Sequence, residues 1–333
     1  MSIKNIYFDR FILSTKTINN VNWDKAMHIC FCVDEKYIKY AGVMLLSIVE
    51  NNLEQSIVFH LFCDKINQED IENLNICTQK YLSISIVVYL INEKDISDFP
   101  QTDGVWNLSI YYRAIAPQVL YGKVKKLLYL DVDMCCVGNI KDLFIIPLDN
   151  NIAAVVEDAM GNHTLEKKLR KLGCCENKKY FNSGMMLFNV EKYYKDDILN
   201  KFIDVIKKHT DKLYFWDQDA FNIVIGKVVK YINCQYNYQK INKKHVDIRI
   251  VHFTGVRKPW FCNFDYYFFD IWRKVYNSSP WGNINLDNKK NITYTEYRYQ
   301  ANYYKSKHKY LLALKNLCLY IKEKFKVYKR EQK

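Results

Sequence analysis

Glycine and proline are scarce in this chain of 333 residues, which contains 10 glycines and 5 prolines. No linker rich in proline or serine divides the sequence, and it has no internal repeat, which argues against a string of separate domains. Hydrophobic residues make up 49% of the chain and aromatic residues 15%, enough to bury a large core. The composition therefore predicts one substantial globular domain, with room for a small appendage.

Long hydrophobic runs are also absent. No stretch approaches the roughly 18 apolar residues that a membrane-spanning helix needs. The N-terminus, MSIKNIYFDRFILSTKTINN, is interrupted by polar residues and lacks the apolar segment of a signal peptide. We therefore expect a protein that works in the cytoplasm, either soluble or bound peripherally to a membrane.

The 11 cysteines include no C-x-x-C pair, which argues against a zinc site. Their number is odd, and the adjacent pairs Cys135/Cys136 and Cys174/Cys175 do not suggest a disulfide framework. Because no signal peptide precedes them, we expect these cysteines to be small core residues in a reducing compartment.

The formal net charge of +13 indicates an anionic partner: nucleic acid, an anionic membrane or a phosphorylated substrate. A nucleic-acid-binding protein would need basic residues interleaved with stacking aromatic residues across its core. The strongest basic cluster instead lies after residue 300, outside the motifs described below. We therefore expect no nucleic-acid partner, and a cationic nucleic-acid-binding protein is kept as the alternative from a different functional class.

Short apolar runs alternate with segments of helical periodicity. Residues 28–33, 57–63 and 84–91 are predicted strands, and residues 35–52 and 67–82 are predicted helices. This alternation is typical of βαβ units and predicts an α/β fold with a mostly parallel sheet, whose ligands bind at the carboxyl ends of its strands. Further predicted elements are helices over 109–120 and 217–226, strands over 152–157 and 247–253, and an apolar run over 180–190.

Two carboxylates, Asp131 and Asp133, directly follow the predicted strand KLLYL, and Asp34 follows the strand at 28–33. Carboxylates this close repel each other unless a cation lies between them, and Mg²⁺ and Mn²⁺ prefer such oxygen ligands. A D-x-D motif fits either a haloacid-dehalogenase-like phosphatase or a nucleotide-sugar glycosyltransferase of the GT-A type. Its position after three strand–helix units, and its continuation with Met-Cys-Cys, favour the glycosyltransferase.

Several motifs in a fixed order carry a resemblance to a known family. They are FCVDEKY (31–37), YYRAIAPQVL (111–120), LYLDVDM (128–134), YFNSGMMLFNV (180–190), WDQDAFN (216–222) and VHFTGVRKPW (251–260). Over residues 27–325 the sequence resembles the retaining glycosyltransferases of family 8, and more narrowly the bacterial lipopolysaccharide-core glucosyl- and galactosyltransferases.

The resemblance implies a GT-A (Rossmann-like) fold with three regions. These are an N-terminal extension over 1–26, a nucleotide-sugar transferase domain over 27–265, and a basic, helical, membrane-associating region over 266–333. It implies retaining transfer of glucose or galactose from a UDP-sugar to a lipopolysaccharide outer-core sugar, with Mn²⁺ or Mg²⁺ as cofactor. Another surface glycan or a protein-linked glycan is the alternative acceptor. The expected location is the inner face of the bacterial inner membrane.

The resemblance also implies roles for individual residues. Asp131, Asp133 and His252 would bind the metal, while Asp34 and Tyr37 would bind uridine, the tyrosine by stacking on uracil. The other implied donor-binding residues are Cys32, Val33, Arg113, Val132, Asn182, Asp217, Gln218, Gly255 and Lys258. Structural interpretations compete with four of these roles: Tyr37 as a core helix residue, Arg113 as the partner of a surface acid in a salt bridge, His252 as a packed histidine, and Asp217 as a first-turn helix acid.

The implied catalytic residues are Gln218, Asp217 and one of two neighbouring acids, Glu157 or Asp158. An amide is a poor nucleophile, so the carbonyl of Gln218 would support positive charge at the sugar during attack from the leaving-group side. Lys258 would neutralise the diphosphate as a point charge. Glu157 or Asp158 would contact hydroxyls of donor or acceptor, and their spacing does not choose between them.

The C-terminal tail combines an apolar stripe with basic residues. Leu311, Leu314, Cys318, Ile321, Phe325 and Tyr328 recur at steps of three and four, among Lys315, Lys322, Lys324, Lys326, Lys329 and Arg330. An interfacial helix that binds an anionic inner-membrane surface has this pattern. A helix that packs its stripe on the catalytic domain has it too, so both interpretations remain open.

Overall fold

The computed structural model describes residues 11–96, 99–100, 108–159, 172, 179–240 and 247–331, so that Cys174 and Cys175 lie outside the described residues. The chain divides into two compact units. Unit 1 comprises Met1–Lys240 and His245–His252, and unit 2 comprises Ile241–Lys244 and Phe253–Lys333.

Unit 1 is built on ten strands within the described ranges. They are β1 (Ile12–Ile18), β2 (Met27–Val33), β3 (Ile57–Cys63), β4 (Ile84–Ile91), β5 (Lys126–Leu130), β6 (Met134–Cys136), β7 (Ala153–Glu157), β8 (Phe181–Asn189), β9 (Val229–Tyr231) and β10 (Ile250–His252). The sequences of β2, β3 and β4 are nearly continuous apolar runs because these strands are buried on both faces.

Eight of these strands form one sheet in the order β1-β4-β3-β2-β5-β8-β7-β9. Strands β2, β3, β4 and β5 pair in parallel, and β7 and β9 run in the same direction. Only β1 and β8, among the strands described in this sheet, are antiparallel to their neighbours. The prediction of a mostly parallel sheet is therefore confirmed. β1 lies within residues 1–26, where the sequence indicates only an extension, and it pairs with β4.

Seven helices of unit 1 connect or cover these strands in the part of the chain that is described. They are α1 (Ile38–Glu50), α2 (Gln68–Lys80), α3 (Tyr112–Val119), α4 (Lys141–Ile145), α5 (Val190–Lys195), α6 (Ile198–His209) and α7 (Trp216–Ile225). Helix α2 begins as predicted at Asn67, whose side-chain oxygen accepts from the main-chain N–H of Asp70 at 2.7 Å. One large hydrophobic cluster joins side chains of the sheet with those of α3, α5, α6 and α7.

The remaining two strands, β6 and β10, pair with each other and lie outside the large sheet. The sequence predicts a strand over 247–253, but the structure has a three-residue strand, Ile250–His252, antiparallel to Met134–Cys136. This pairing places His252 opposite Met134, next to Asp133. A short strand far along the chain thereby joins the end of the D-x-D segment.

Unit 2 contains α8 (Phe269–Ser278), α9 (Tyr294–Ser306) and α10 (Tyr310–Glu331). A capping box between Thr293 and Glu296 starts α9. Arg273 of α8 donates to the carbonyl oxygens of Pro259, Phe261 and Phe264 at 2.6–3.0 Å and so holds the preceding loop. Among the described residues, no helix has both the length and the apolar character to cross a membrane.

Two buried histidines share a chain of hydrogen bonds in the large sheet. His28 Nδ1 lies 3.0 Å from His60 Nε2, His60 Nδ1 lies 3.1 Å from the Tyr89 hydroxyl, and His28 Nε2 lies 2.9 Å from the Trp23 carbonyl. Since the carbonyl only accepts, each ring donates through Nε2 and accepts through Nδ1 when both are neutral. Burial lowers the pKa of both His28 and His60.

We expect acid to destabilise the protein through this pair. Below about pH 6.5 the two histidines bind protons in the unfolded chain but stay neutral in the folded protein. The free energy of unfolding therefore falls as pH falls toward the lowered pKa values, by up to about 1.4 kcal/mol per pH unit for each histidine. Urea unfolding at about pH 7.5 and 5.5 measures this slope. His60→Gln, which keeps an acceptor for Tyr89 and a donor for His28, should remove roughly half of it. A wild-type free energy of unfolding that is independent of pH over this range would contradict the prediction.

Candidate active site

The D-x-D motif lies where β5 leaves the large sheet. The main-chain N–H of Asp131 still donates to the carbonyl of Gly184 on β8 at 2.8 Å, which continues the β5–β8 ladder by one residue. Val132 is 9% exposed, whereas Asp131 and Asp133 are both partly exposed. The motif thus presents its two carboxylates at the carboxyl end of a buried parallel strand, as the sequence predicts.

His252 completes a cluster with the two carboxylates. Its Nε2 lies 3.2 Å from Asp133 Oδ1 and 3.8 Å from Asp131 Oδ2. Ligand atoms of Asp131, Asp133 and His252 all lie within 4.8 Å of one another, and the histidine is 3% exposed. Two carboxylates and an imidazole form a donor set that suits Mn²⁺ and also accepts Mg²⁺. The buried position of His252 is therefore compatible with a role as a metal ligand.

Gly184 lets two side chains of this cluster pack directly against β8. A Cβ atom at position 184 would lie 2.5 Å from His252 Cε1 and 2.7 Å from Asp131 Oδ2, closer than any real Cβ contact. The absence of a side chain at this position therefore permits the histidine and the first aspartate to approach the strand together. The donor chemistry of Asp131, Asp133 and His252 fits a divalent cation.

Arg113 of α3 bridges two acids behind the metal-binding cluster. Its guanidinium lies 3.1 Å from Asp131 Oδ1 and 3.1 Å from Asp217 Oδ2, and it stacks over the ring of Tyr129 at 4.7 Å. The hydroxyl of Tyr129 also donates to Asp131. Burial raises the pKa of Asp217 to about 6, although the Arg113 charge opposes that rise. Arg113 thereby connects the D-x-D motif with the start of α7.

Gln218, Asn182 and Asp158 form a second polar cluster. The side-chain oxygen of Gln218 accepts from Ser183 N at 3.0 Å and from Asn182 Nδ2 at 3.2 Å. The side-chain nitrogen of Gln218 donates to Asp158 Oδ2 at 3.2 Å, and Asn182 donates to the same oxygen at 3.2 Å. Glu157 is exposed instead and pairs with Lys179 at 2.6 Å. Of the two acids that spacing could not separate, the structure brings Asp158 to the site and leaves Glu157 outside it.

Asp219 has a structural role within α7. It is fully buried and accepts from the main-chain N–H groups of Tyr214 and Phe215 at 2.6 and 2.9 Å, and from the hydroxyl of Tyr180. It therefore fixes the turn that begins the helix. Asp217 and Gln218, two and one residues earlier, face the polar clusters described above.

The predicted uridine-binding residues follow β2, which ends with Cys32 and Val33. Asp34 caps a 3-10 turn over Glu35–Tyr37 by accepting from the N–H of Tyr37 at 3.2 Å. Tyr37 is 40% exposed, so it is not a core helix residue. An exposed ring at the carboxyl end of a strand is suitable for stacking on a planar base.

Gly255 and Lys258 belong to unit 2. Gly255 has a φ angle of +73°, which residues other than glycine rarely adopt, so this position favours glycine. The Lys258 ammonium donates to the carbonyl of Phe253 at 2.8 Å and lies 5.9 Å from the ring of Trp260.

Sequence reasoning missed four residues of the site: Tyr129, Ser183, Gly184 and Asn237. The first three lie inside motifs that the sequence singles out, next to predicted site residues. Asn237 lies outside every motif, yet it is 1% exposed and hydrogen-bonded to both His252 and Asn182. Its polar side chain in the segment QYNYQ carries no sequence signal that distinguishes it from a loop residue.

Comparison with solved structures identifies the class of fold. The galactosyltransferase LgtC, solved in complex with donor and acceptor sugar analogs, matches with a TM-score of 0.67 over 76% of this chain and 96% of that one, at 21% sequence identity. The glycosyltransferase GlyE of Streptococcus pneumoniae matches with a TM-score of 0.59 at 20% identity, over 75% of this chain and 60% of that one. The predicted GT-A fold is thus confirmed.

The sequence itself shows the family. The profile of glycosyl transferase family 8 matches residues 28–263, and the protein belongs to this family. A lipopolysaccharide 1,2-glucosyltransferase of Escherichia coli is 31% identical over 283 residues, 80% of either chain. A lipopolysaccharide 1,3-galactosyltransferase of Salmonella typhimurium is 26% identical over 310 residues, 89% of this chain and 91% of that one. The resemblance drawn from the ordered motifs is therefore confirmed.

Proposed function

We propose that this protein transfers a hexose, glucose or galactose, from a UDP-sugar to an outer-core sugar of lipopolysaccharide, with retention of anomeric configuration and with Mn²⁺ or Mg²⁺ as cofactor. The observation that carries the proposal is the Asp131–Asp133–His252 cluster at the carboxyl end of β5 in a family 8 fold. The names of the E. coli and Salmonella relatives support the choice of sugars and acceptor.

Different polar groups of the site would contact different parts of such a donor. When bound by Asp131, Asp133 and His252, a divalent cation supplies positive charge to the diphosphate leaving group. Asp34 and Tyr37 would hold the uridine. Lys258 would add a second positive charge at the diphosphate.

We assign to Gln218 the role of supporting positive charge at the reacting carbon of the sugar. The bond from that carbon to the diphosphate oxygen breaks, the bond to the acceptor oxygen forms on the same side, and the acceptor proton passes to a phosphate oxygen of the departing UDP. Asn182, Ser183 and Asp158 hold the Gln218 amide by hydrogen bonds of 3.0–3.2 Å, so its carbonyl dipole is already oriented before the donor arrives. Asp158 is accordingly the better candidate for contacts with sugar hydroxyls, because Glu157 lies outside the cluster.

Hydrolysis of UDP-glucose and UDP-galactose by the purified protein tests the reaction class. We expect slow release of UDP from at least one of the two donors, only when Mn²⁺ or Mg²⁺ is present. Salt-sensitive RNA binding without any hydrolysis would instead support the cationic nucleic-acid-binding alternative. Transfer to a protein-linked or other surface glycan, but not to lipopolysaccharide, would support the alternative acceptors within the family.

Helix α10 supports peripheral binding to an anionic membrane. It packs on α9 through a face that includes Asn316 and Tyr320, the latter ring lying 6.1 Å from Tyr294 and 5.8 Å from the Arg298 guanidinium. Helical spacing places the apolar stripe on the opposite face. All six stripe residues are exposed: Leu311, Leu314, Cys318, Ile321, Phe325 and Tyr328. Flanking lysines would add roughly 1 kcal/mol each near an anionic surface.

We expect the double variant Ile321→Asn/Phe325→Asn to lose binding to anionic vesicles. Full burial of one apolar side chain in the lipid interface contributes about 1.5–3 kcal/mol to binding. Replacement of both side chains should therefore weaken binding at least about tenfold. Vesicle co-sedimentation at low salt measures the loss, while hydrolysis of the donor should persist. A truncation at residue 303 is less suitable because it cuts α9, which spans Tyr294–Ser306.

The matched control is Leu82→Asn/Ile145→Asn, which changes two apolar side chains in unit 1 that are 78% and 72% exposed. This control should co-sediment as wild type does. Equal sedimentation by the Ile321→Asn/Phe325→Asn variant and wild type would show that the stripe does not enter the membrane.

A further inference from the structure

A buried asparagine lies directly behind His252. Asn237 follows a 3-10 turn over Cys234–Tyr236, and its side chain is almost wholly inaccessible to solvent, with 1% exposed. The main chain of the next residue, Tyr238, pairs with β10: Tyr238 N donates to Ile250 O at 2.9 Å, and Tyr238 O accepts from His252 N at 3.0 Å. The backbone therefore fixes Asn237 beside the histidine before any side-chain contact is considered.

The direction of each hydrogen bond around Asn237 follows from a main-chain donor. Gly184 N–H can only donate, and it lies 3.1 Å from the side-chain oxygen of Asn182, so that oxygen is an acceptor. Asn237 faces the same oxygen at 2.9 Å and must present its NH₂ group to it. The oxygen of Asn237 is then left to face Nδ1 of His252, at 2.8 Å.

This chain of donors and acceptors determines the tautomer of His252. Because Asn237 offers only an oxygen, Nδ1 of His252 carries the proton and donates it. In the neutral ring the lone pair is therefore on Nε2, which lies 3.2 Å from Asp133 and 3.8 Å from Asp131. The Nε2 lone pair and the two carboxylates therefore repel one another unless a cation lies between them. Histidine ligands of metals generally need such a partner on their other ring nitrogen.

The second hydrogen bond of Asn237 leads to the sugar-binding side. Asn182, which accepts from Asn237, donates to the side chains of Gln218 and Asp158 at 3.2 Å each. One buried amide thus connects the metal-binding histidine with the residue that orients Gln218.

We propose that Asn237 is a positioning residue with two separable functions. Its oxygen holds His252 as the Nδ1–H tautomer with Nε2 available to the cation, and its NH₂ group holds Asn182 in the orientation that orders Gln218. The inference rests on the proposed metal-dependent transfer, and neither function requires Asn237 to touch the substrate.

Three substitutions separate these functions. Asn237→Asp keeps an oxygen for His252 Nδ1–H but replaces the donor to Asn182 by a second oxygen. Asn237→Ala removes both hydrogen bonds, and Asn237→Leu removes both while it retains the branched shape and the number of heavy atoms of the asparagine side chain. Thermal unfolding identifies which of the variants are folded. If the alanine variant is unfolded, the leucine variant replaces it in the comparison.

Mn²⁺ affinity is the first readout and requires no activity. The EPR signal of free Mn²⁺, followed as protein is added, gives the dissociation constant. We expect Asn237→Ala and Asn237→Leu to weaken Mn²⁺ binding by about 10–100-fold, and Asn237→Asp to bind Mn²⁺ within about threefold of wild type or more tightly. Gln300→Ala, which removes a buried amide of α9 that accepts from Asp265 N at 3.1 Å, should bind Mn²⁺ as wild type does.

The second readout is kcat for donor hydrolysis at saturating Mn²⁺. Here Asn237→Asp should resemble Asn237→Ala, because both lose the donor to Asn182. Mn²⁺ affinity unchanged in the alanine and leucine variants would overturn the inference, and so would an aspartate variant that binds Mn²⁺ as weakly as they do. If the wild-type protein itself binds no Mn²⁺, the proposed metal-dependent function fails, an outcome distinct from failure of the role of Asn237.

Discussion

Replacement of Asp133 by asparagine should lower the Mn²⁺-dependent rate of donor turnover by about 10²–10³-fold, equivalent to roughly 3–4 kcal/mol of transition-state stabilisation. Asparagine retains the shape of the side chain but removes the charge that would hold the cation against His252 Nε2, 3.2 Å away. Asp133 is a cleaner target than Asp131, because Asp131 also neutralises Arg113 and its loss would disturb that buried ion pair. The initial rate of UDP release at fixed Mn²⁺ gives the measurement.

The fold should survive this substitution, since Asp133 is partly exposed and lies between two strands rather than within the core. Asp142→Asn, at an exposed acid in the first turn of α4, is the control and should retain the wild-type rate. A folded Asp133→Asn enzyme with near wild-type, Mn²⁺-dependent turnover would show that the D-x-D motif does not bind the metal through Asp133.

Gly184→Ala should abolish Mn²⁺ binding although it replaces no charged residue. Its methyl would lie 2.5 Å from His252 Cε1 and 2.7 Å from Asp131 Oδ2. His252 has little freedom to retreat because Asn237 holds its Nδ1 at 2.8 Å, and Asp131 is held by Arg113. We therefore expect loss of donor turnover by at least about 10²-fold, with an overpacking cost of about 1–3 kcal/mol in stability. EPR titration with Mn²⁺ and urea unfolding measure the two effects.

Gly138→Ala is the matched control for added volume. A Cβ at position 138 would meet the flexible Arg249 side chain at 3.0 Å and the carbonyl oxygen of Ile248 at 3.3 Å, away from the triad. This variant should bind Mn²⁺ normally. Wild-type Mn²⁺ affinity in a folded Gly184→Ala protein would mean that the ion does not occupy the space beside β8.

The central strands of the sheet are predictable because burial on both faces leaves them as unbroken apolar runs. Strand β1 is not, since its sequence ILSTKTI belongs to an edge strand with mostly exposed side chains. Strands β6 and β9 have three residues each, too few for a periodic pattern, and only Ile250–His252 of the strand predicted over 247–253 forms. Sequence periodicity therefore predicts the large sheet but not its edges, nor the pairing of β6 with β10 that forms the small second sheet.

The residues of the candidate site also differ in how far the sequence alone indicates them. Asp131 and Asp133 stand out because two acids end an apolar strand, a local pattern that needs no tertiary contact. His252 emerges only from the family resemblance, since the pairing of β6 with β10 brings it to Asp133. Asn237 gives no sequence signal at all, because its importance depends on the groups that folding places on either side of its amide.

Transfer of labelled hexose to lipopolysaccharide would test the proposed reaction itself. Purified protein would be incubated with radiolabelled UDP-glucose or UDP-galactose, Mn²⁺ and lipopolysaccharide of truncated core, and the label in lipopolysaccharide would be counted. We expect incorporation from one of the two donors, loss of incorporation with EDTA, and an α-linked product, since retention preserves the α configuration of the donor. No incorporation from either donor in the presence of Mn²⁺, or a β-linked product, would contradict it.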